Sequence, residues 1–312
     1  MGPLLSVLDV RKHYEVRRTL FSVTKETIRA VDGVSFHLGV GETLGVVGES
    51  GSGKSTLARC VLLLERPDSG EIVFDNVSLL TAGGEEVKRL RRRMQIIFQD
   101  PYSSLNPRMK VREIIAEPVR FHGMAKGRAD VEARVGEILR SVGLDEDFLR
   151  KYPHEMSGGQ RQRVAIGRAL ATEPALVIAD EPVSSLDVSI QAQIVNLFLD
   201  IRERSEISMV FVSHDLNIVR FLSDRILVLY KGKVVEIGAR DEVFLNPFHP
   251  YTRMLIRASQ GDFALREEAT NGALPLGCPY YDKCEDRKRK CAGEAPELTG
   301  DEDHKVACFH AF

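Results

Sequence analysis

The residues Gly48-Glu49-Ser50-Gly51-Ser52-Gly53-Lys54-Ser55-Thr56 fit the pattern G-x4-G-K-[ST], the phosphate-binding Walker A loop. The physics is anion binding. Glycines let successive backbone N–H groups curl around phosphate oxygens, and the helix that follows presents the positive end of its dipole. In such a loop Lys54 reaches the β- and γ-phosphates and the Ser55 hydroxyl ligates Mg²⁺. Farther along, Leu176-Val177-Ile178-Ala179-Asp180-Glu181 is an apolar run ending in two carboxylates. Asp180 is suited to holding the metal through water, and Glu181 to polarising the water that attacks. A chance glycine-rich turn or a surface Asp-Glu pair is the ordinary reading of either motif alone. Together they argue for a nucleoside triphosphate site.

Both motifs need rigid supports. Residues 34–47 read as a strand ending in Thr43-Leu44-Gly45-Val46-Val47, and an apolar helix runs from Lys54 to about Leu64. Further strands are expected at 5–10, 71–74, 95–98, 175–179, 208–212, 225–229 and 234–237. Helical patterns dominate 111–172 and recur at 189–204. Strands alternating with helices predict an α/β sheet, and the all-helical middle predicts a helical subdomain inserted at about 100–165. In an open sheet of this kind ligands gather at the carboxyl ends of the strands, where Asp180 falls. The periodicity fades after about residue 260. The expected organisation is a nucleotide-binding domain over 1–260 and an extension over 261–312 that needs a staple to be ordered.

Met156-Ser157-Gly158-Gly159-Gln160 opens a second helix with a serine and two glycines, again an anion-binding start. One subunit has no need of two such devices, but a second subunit does. Here the chain resembles the ATP-binding-cassette (ABC) ATPases, whose signature is Leu-Ser-Gly-Gly-Gln, with Met156 a volume-conserving replacement for the leucine. The resemblance implies a P-loop cassette, with a RecA-like core, an antiparallel β subdomain and a helical insertion. It also implies a head-to-tail dimer in which Ser157, Gly158, Gly159 and Gln160 of one subunit close over ATP bound to the other. Gln99, in Phe98-Gln99-Asp100, matches the family's Q-loop glutamine, which senses Mg²⁺ and nucleotide. Asp187, in Ser184-Ser185-Leu186-Asp187, matches the D-loop, and His214 matches the switch histidine that hydrogen-bonds the γ-phosphate. Tyr14 lies where the family has an aromatic that stacks on adenine, although the segment from Val16 to Ile28 reads as an insertion.

Cys60 sits on the apolar helix after the glycine-rich loop and reads as a core thiol. Cys278, Cys284, Cys291 and Cys308 crowd into the last 35 residues, which without a secretory signal suggests metal before disulfides. Five, six and sixteen residues separate them in turn, whereas structural zinc usually wants pairs two to four apart, so spacing leaves the metal open. A narrower resemblance bears on the choice. Asn246-Pro247-Phe248-His249-Pro250-Tyr251-Thr252 and the cysteine-bearing tail resemble the oligopeptide and dipeptide importer ATPases. Some members of that subfamily carry a [4Fe–4S] cluster in this tail, which favours iron–sulfur on the four cysteines. Zinc, recruiting His304 or His310, is the alternative.

Composition narrows the class further. With 312 residues, 43% hydrophobic and 28% charged, the chain is ordinary for a globular protein and unlike collagen-like, disordered or disulfide-scaffold chains. A net charge of −2 provides no global basic field for nucleic acid or a membrane surface. No apolar window approaches the ~20 residues of a bilayer span, so a membrane link must come through partners. The resemblance therefore implies the ATP-hydrolysing subunit of a membrane importer for oligopeptides, dipeptides or a similar small solute, peripheral on the cytoplasmic face. Its implied partners are a second cassette, two transmembrane permease subunits and, indirectly, an extracytoplasmic binding protein. Three alternatives stand beside it: an importer ATPase for nickel or another non-peptide solute, a soluble ABC ATPase of nucleic-acid repair or translation, and a scaffold that binds ATP without turnover. The repair or translation reading expects two cassettes, coiled coils and a basic face. The scaffold reading expects a lost catalytic group, yet Lys54, Asp180, Glu181 and His214 are all present.

Overall fold

The computed structural model describes residues 2–17, 25–261, 277–301 and 303–310. The chain begins with β1 (Leu5–Arg17), β2 (Lys25–Leu38), β3 (Thr43–Val47), α1 (Lys54–Val61), β4 (Ser69–Phe74) and β5 (Val77–Ser78). Next come α2 (Gly84–Arg93), β6 (Met94–Ile97), α3 (Pro101–Ser104), α4 (Val111–Phe121), α5 (Arg128–Ser141) and α6 (Gly158–Leu170). They are followed by β7 (Leu176–Asp180), α7 (Val188–Arg204), β8 (Ser208–Ser213), α8 (Leu216–Leu222), β9 (Arg225–Tyr230) and β10 (Lys233–Ala239). The chain closes with α9 (Arg240–Leu245), α10 (Pro250–Ser259), α11 (Arg289–Gly293), β11 (Thr299–Gly300) and β12 (His304–Val306). Two units result: residues 1–38, 43–80 and 212–312 form one, and residues 39–42 and 81–211 the other.

The first unit holds an antiparallel sheet in the order β2-β1-β4-β5 and the mixed array β11-β12-β10-β9-β3. All five residues of β3 are buried, and β3 runs parallel to β9 with Val46 opposite Leu227. That register fixes the strand from which the glycine-rich loop departs. β10 runs antiparallel to β9 on one side and to β12 on the other, so residues of the far C-terminus complete the array. Strand length departs from the sequence expectation here. β1 continues through Arg17 and β2 begins at Lys25, because the two pair antiparallel along their length, with bulges that carry charged residues through the ladder. The connection at 18–24 lies outside the described residues.

In the second unit β8, β7 and β6 are neighbours in that order, and β6 runs parallel to β7. Helices α4, α5 and α6 pack on one another, and Ile114, Ile115, Val119, Val135, Leu139, Val164 and Ile166 on them are all buried. The middle of the chain is helical, as its pattern predicts.

Candidate active site

Glycine is obligatory at two points of the phosphate loop. Gly48 has φ 155° and Gly53 φ 107°, and a Cβ there would run into the Leu229 and Ala30 carbonyl oxygens respectively. Gly53 is also the N-cap of α1, so the amides of the helix start open toward the loop. The buried Lys54 ammonium donates to the Gly48 carbonyl at 2.8 Å and to the Glu49 carbonyl at 3.0 Å. Further bonds hold the loop in shape. Ser52 N–H donates to Glu49 O (3.1 Å), Gly232 N–H to Ser52 O (2.8 Å) and Glu49 N–H to the Tyr251 hydroxyl oxygen (2.7 Å). Ser55 and Thr56 occupy the first turn of α1. Tyr14 lies on β1, its hydroxyl hydrogen-bonded with the side chains of Glu65 and Thr56, and burial pushes its phenol up to about 12. His214 follows β8 and is exposed, just before Asp215 caps α8.

In the second unit Asp180 is the last residue of the fully buried β7, and Glu181 follows at φ 48°. Parallel pairing places Ile97 opposite Ala179, so Gln99 and Glu181 each stand two residues beyond a matched pair. Their side chains meet. Gln99 Nε2 donates to Glu181 Oε2 and to Ser184 Oγ, both at 3.3 Å, and Ser184 Oγ donates back to the Glu181 carbonyl at 3.1 Å. The sheet edge, the carboxylate and the following loop are thereby tied together.

The exposed Ser157 caps α6 with a reciprocal box: its Oγ accepts from Gln160 N–H (3.3 Å), and Gln160 Oε1 accepts from Ser157 N–H (3.0 Å). The glycines after it have a packing reason that the sequence reading missed. A Cβ on the buried Gly159 would strike Ile190 of α7, and one on Gly158 would approach Leu186 to 3.1 Å. α6 thus sits directly on the loop that carries Asp187, itself the N-cap of α7.

The C-terminal lobe belongs to the first unit. Cys278, Cys284, Cys291 and Cys308 line one small cavity with His249, Tyr280 and His310. Cys278 N–H donates to Cys291 O at 2.8 Å, and Cys291 Sγ lies 3.6 Å from His310 Nε2. Burial pushes the Cys278 thiol up to about 11 and raises Cys284 and Cys308 as well, and charge on Cys291 raises all three further. Such thiols do not ionise together without a cation among them. Among the described residues, however, no group of three or more His, Cys, Asp or Glu side chains is gathered as a metal-ligand set. The donors fit a thiolate-bound metal in kind without being drawn in to bind one. His304 is not in the cavity lining; its Nε2 lies 2.7 Å from the buried Glu236 carboxylate. Cys60 is buried and pushed up to about 12 by that burial, as a core thiol should be.

The family model for ABC transporters matches residues 31–184, and the model for the C-terminal region of oligopeptide/dipeptide transporters matches residues 235–291. The di/tripeptide transport ATP-binding protein DppF of Pseudomonas aeruginosa is 42% identical, with 100% of this chain and 98% of that protein covered. The oligopeptide transport ATP-binding protein OppF of Escherichia coli is 44% identical over 98% of this chain and 96% of its own. The chain belongs to the ABC transporter ATP-binding proteins of the oligopeptide/dipeptide family. Among solved structures, the ATP-binding cassette MJ0796, a dimer in a post-hydrolysis state bound to ADP and Pi, is 32% identical with a TM-score of 0.67. It covers 76% of this chain and 98% of its own. The cassette fold expected from the motifs is therefore the fold of this ATP-binding protein.

For a member of this family, the Asn246–Thr252 segment acquires a physical meaning that its letters alone do not convey. Glu236, fully buried on β10, accepts from Phe248 N–H (2.8 Å) and His249 N–H (3.0 Å). His249, held at about 4 by burial and hence neutral, caps α10 by accepting from Tyr251 N–H at Nδ1 (3.1 Å). Sequence reasoning passed over Glu236 and quoted Tyr251 only as part of the Asn246–Thr252 resemblance, with no role of its own. A lone glutamate inside the apolar run Val234–Ile237 was the available signal.

Proposed function

We propose that this chain is the ATP-hydrolysing subunit of a membrane importer for oligopeptides or dipeptides. The single supporting observation is similarity across essentially the whole chain to ATP-binding proteins of di/tripeptide and oligopeptide transport, C-terminal region included. Among the described residues no helix is long and apolar enough to cross a membrane. Attachment accordingly runs through two transmembrane permease subunits at the cytoplasmic face, with an extracytoplasmic binding protein delivering solute. The working unit contains a second cassette, identical or homologous. In this reading residues 1–260 are the cassette, with a helical insertion at about 100–165, and 261–312 are the extension.

Within that assembly Lys54 moves from the Gly48 and Glu49 carbonyls to the phosphates, and the loop amides bind the remaining oxygens. Ser55, Gln99 and Asp180 are the residues that would hold Mg²⁺, which supplies charge for the developing phosphate oxygens. Glu181 orients and polarises water, with Gln99 fixing its carboxylate. His214 and, from the facing subunit, Ser157 and Gly159 close on the γ-phosphate, while Tyr14 stacks on adenine. Little covalent chemistry falls to the protein; it positions groups and stabilises charge. At the far end of the chain, Cys278, Cys284, Cys291 and Cys308 are the residues that would hold a [4Fe–4S] cluster, with zinc as the alternative. The test is purification from membranes. Two hydrophobic subunits should copurify, and proteoliposomes containing the complex should take up a peptide only with ATP. A chain that copurifies with no membrane subunit, or drives no peptide uptake, would refute the assignment.

A further inference from the structure

Tyr251 belongs to none of the phosphate-site motifs, yet its hydroxyl oxygen accepts the Glu49 amide hydrogen at 2.7 Å. That N–H and the Gly48 carbonyl are two ends of one peptide group, and in a trans peptide they point in opposite directions. The carbonyl end receives the Lys54 ammonium at 2.8 Å. A single phenol therefore pins one end of the plane whose other end holds the lysine.

The pin is itself immobile. Tyr251 is fully buried, with its ring 4.5 Å from the Tyr230 ring and 5.4 Å from that of Tyr280. Its backbone is tied at the first turn of α10 to His249, which Glu236 holds in turn. Gly48 has no side chain of its own to restrain the plane. A plane free to turn would carry with it the Gly48 carbonyl on which the Lys54 ammonium rests.

We infer that Tyr251 is a positioning residue of the nucleotide site: it fixes the Gly48–Glu49 peptide, and through that peptide the resting place of Lys54. The inference rests on Lys54 being a phosphate ligand. It extends the nucleotide site to the Asn246–Thr252 segment. The Tyr280 ring, which touches Tyr251, also lines the cysteine cavity.

A double-mutant cycle in the full-length chain tests this, with Tyr251→Phe, Lys54→Ala and the pair. The readouts are equilibrium binding of a fluorescent ATP analogue with Mg²⁺, and kcat against KM. Tyr251→Phe keeps the ring and removes the acceptor. It should weaken binding about 3- to 10-fold, the scale of one net hydrogen bond, and raise KM more than it lowers kcat. In the Lys54→Ala background the same change should alter binding less than about twofold, since the effect runs through the lysine. Equal factors in both backgrounds, or unchanged affinity, would overturn the inference. Failure of Lys54→Ala alone to weaken binding would instead overturn the phosphate role of the lysine. Independently of any variant, the Glu49 amide of the nucleotide-free chain should exchange slowly with solvent deuterium. Rapid exchange there would also overturn the inference.

Discussion

Gln99 Nε2 lies 3.3 Å from Glu181 Oε2, and the parallel register of β6 and β7 is what brings them together. Each residue stands two positions past a paired one, at the carboxyl ends of adjacent strands. A side chain read as a nucleotide sensor therefore touches the one read as the base. Displacing Gln99 removes this contact from the carboxylate.

Glu181→Gln keeps the size of the side chain and an oxygen for the Gln99 amide. Nucleotide binding should persist, while hydrolysis falls ~10²–10⁴-fold, the scale of general-base loss. Phosphate release under saturating ATP measures it. Near-normal turnover would exclude Glu181 as the base.

Ser157→Arg and Lys54→Ala separate binding from assembly. Removing the lysine should weaken nucleotide affinity, as loss of a cation facing phosphate requires. Ser157→Arg removes a helix cap, lowering stability by about 1 kcal/mol. It should spare nucleotide binding by an isolated subunit and abolish hydrolysis, because the bulky side chain blocks the facing site. Equal loss of single-subunit affinity in both variants would contradict a head-to-tail arrangement.

Glu236→Ala would leave the Phe248 and His249 amides and the His304 ring without their acceptor. Each orphaned buried donor costs about 1–3 kcal/mol. The melting temperature should drop, and limited proteolysis should begin within residues 277–310. A melting curve that matches wild type would show that the clamp carries no stability.

Anaerobic purification addresses the cysteine cavity. The protein should be brown, with about four iron atoms per chain if a cubane cluster is bound. Cys284→Ser or Cys291→Ser should bleach it and expose the tail to protease, while ATP hydrolysis continues. Colourless protein with stoichiometric zinc would assign the other metal. Protein without metal, with all four thiols open to alkylation, would remove both assignments.

The motifs read as a nucleotide site are visible in the sequence because each is local. Gly48 to Thr56, Asp180-Glu181 and the Ser157 box each lie within one short stretch of chain. The middle helices were legible through their period, and Cys60 through its apolar neighbours. What escaped depends on partners far away in sequence. The extension of β1 to Arg17 comes from pairing with β2, β12 is three residues long and exists only between β10 and β11, and Glu236 is explained by backbone amides of another element. Gly159 read as an anion cradle, whereas its burial against Ile190 shows an equally strong steric demand. Apart from the lone glutamate in Val234–Ile237, no pattern of letters in one strand announces such contacts.

The first unit's mixed sheet ends on β11, two residues long with Gly300 at φ 143°. So short and twisted a margin offers hardly any unpaired amides to another chain. A chain cut back to residue 260 would lose β11 and β12, exposing the hydrogen-bonding side of β10 at Glu236, Ile237 and Gly238. With Val234, Val235 and Ile237 in that strand, the bared margin would template intermolecular pairing. The tail thus covers that margin of β10. Trimmed cassettes should accumulate as aggregates even where their nucleotide site is intact.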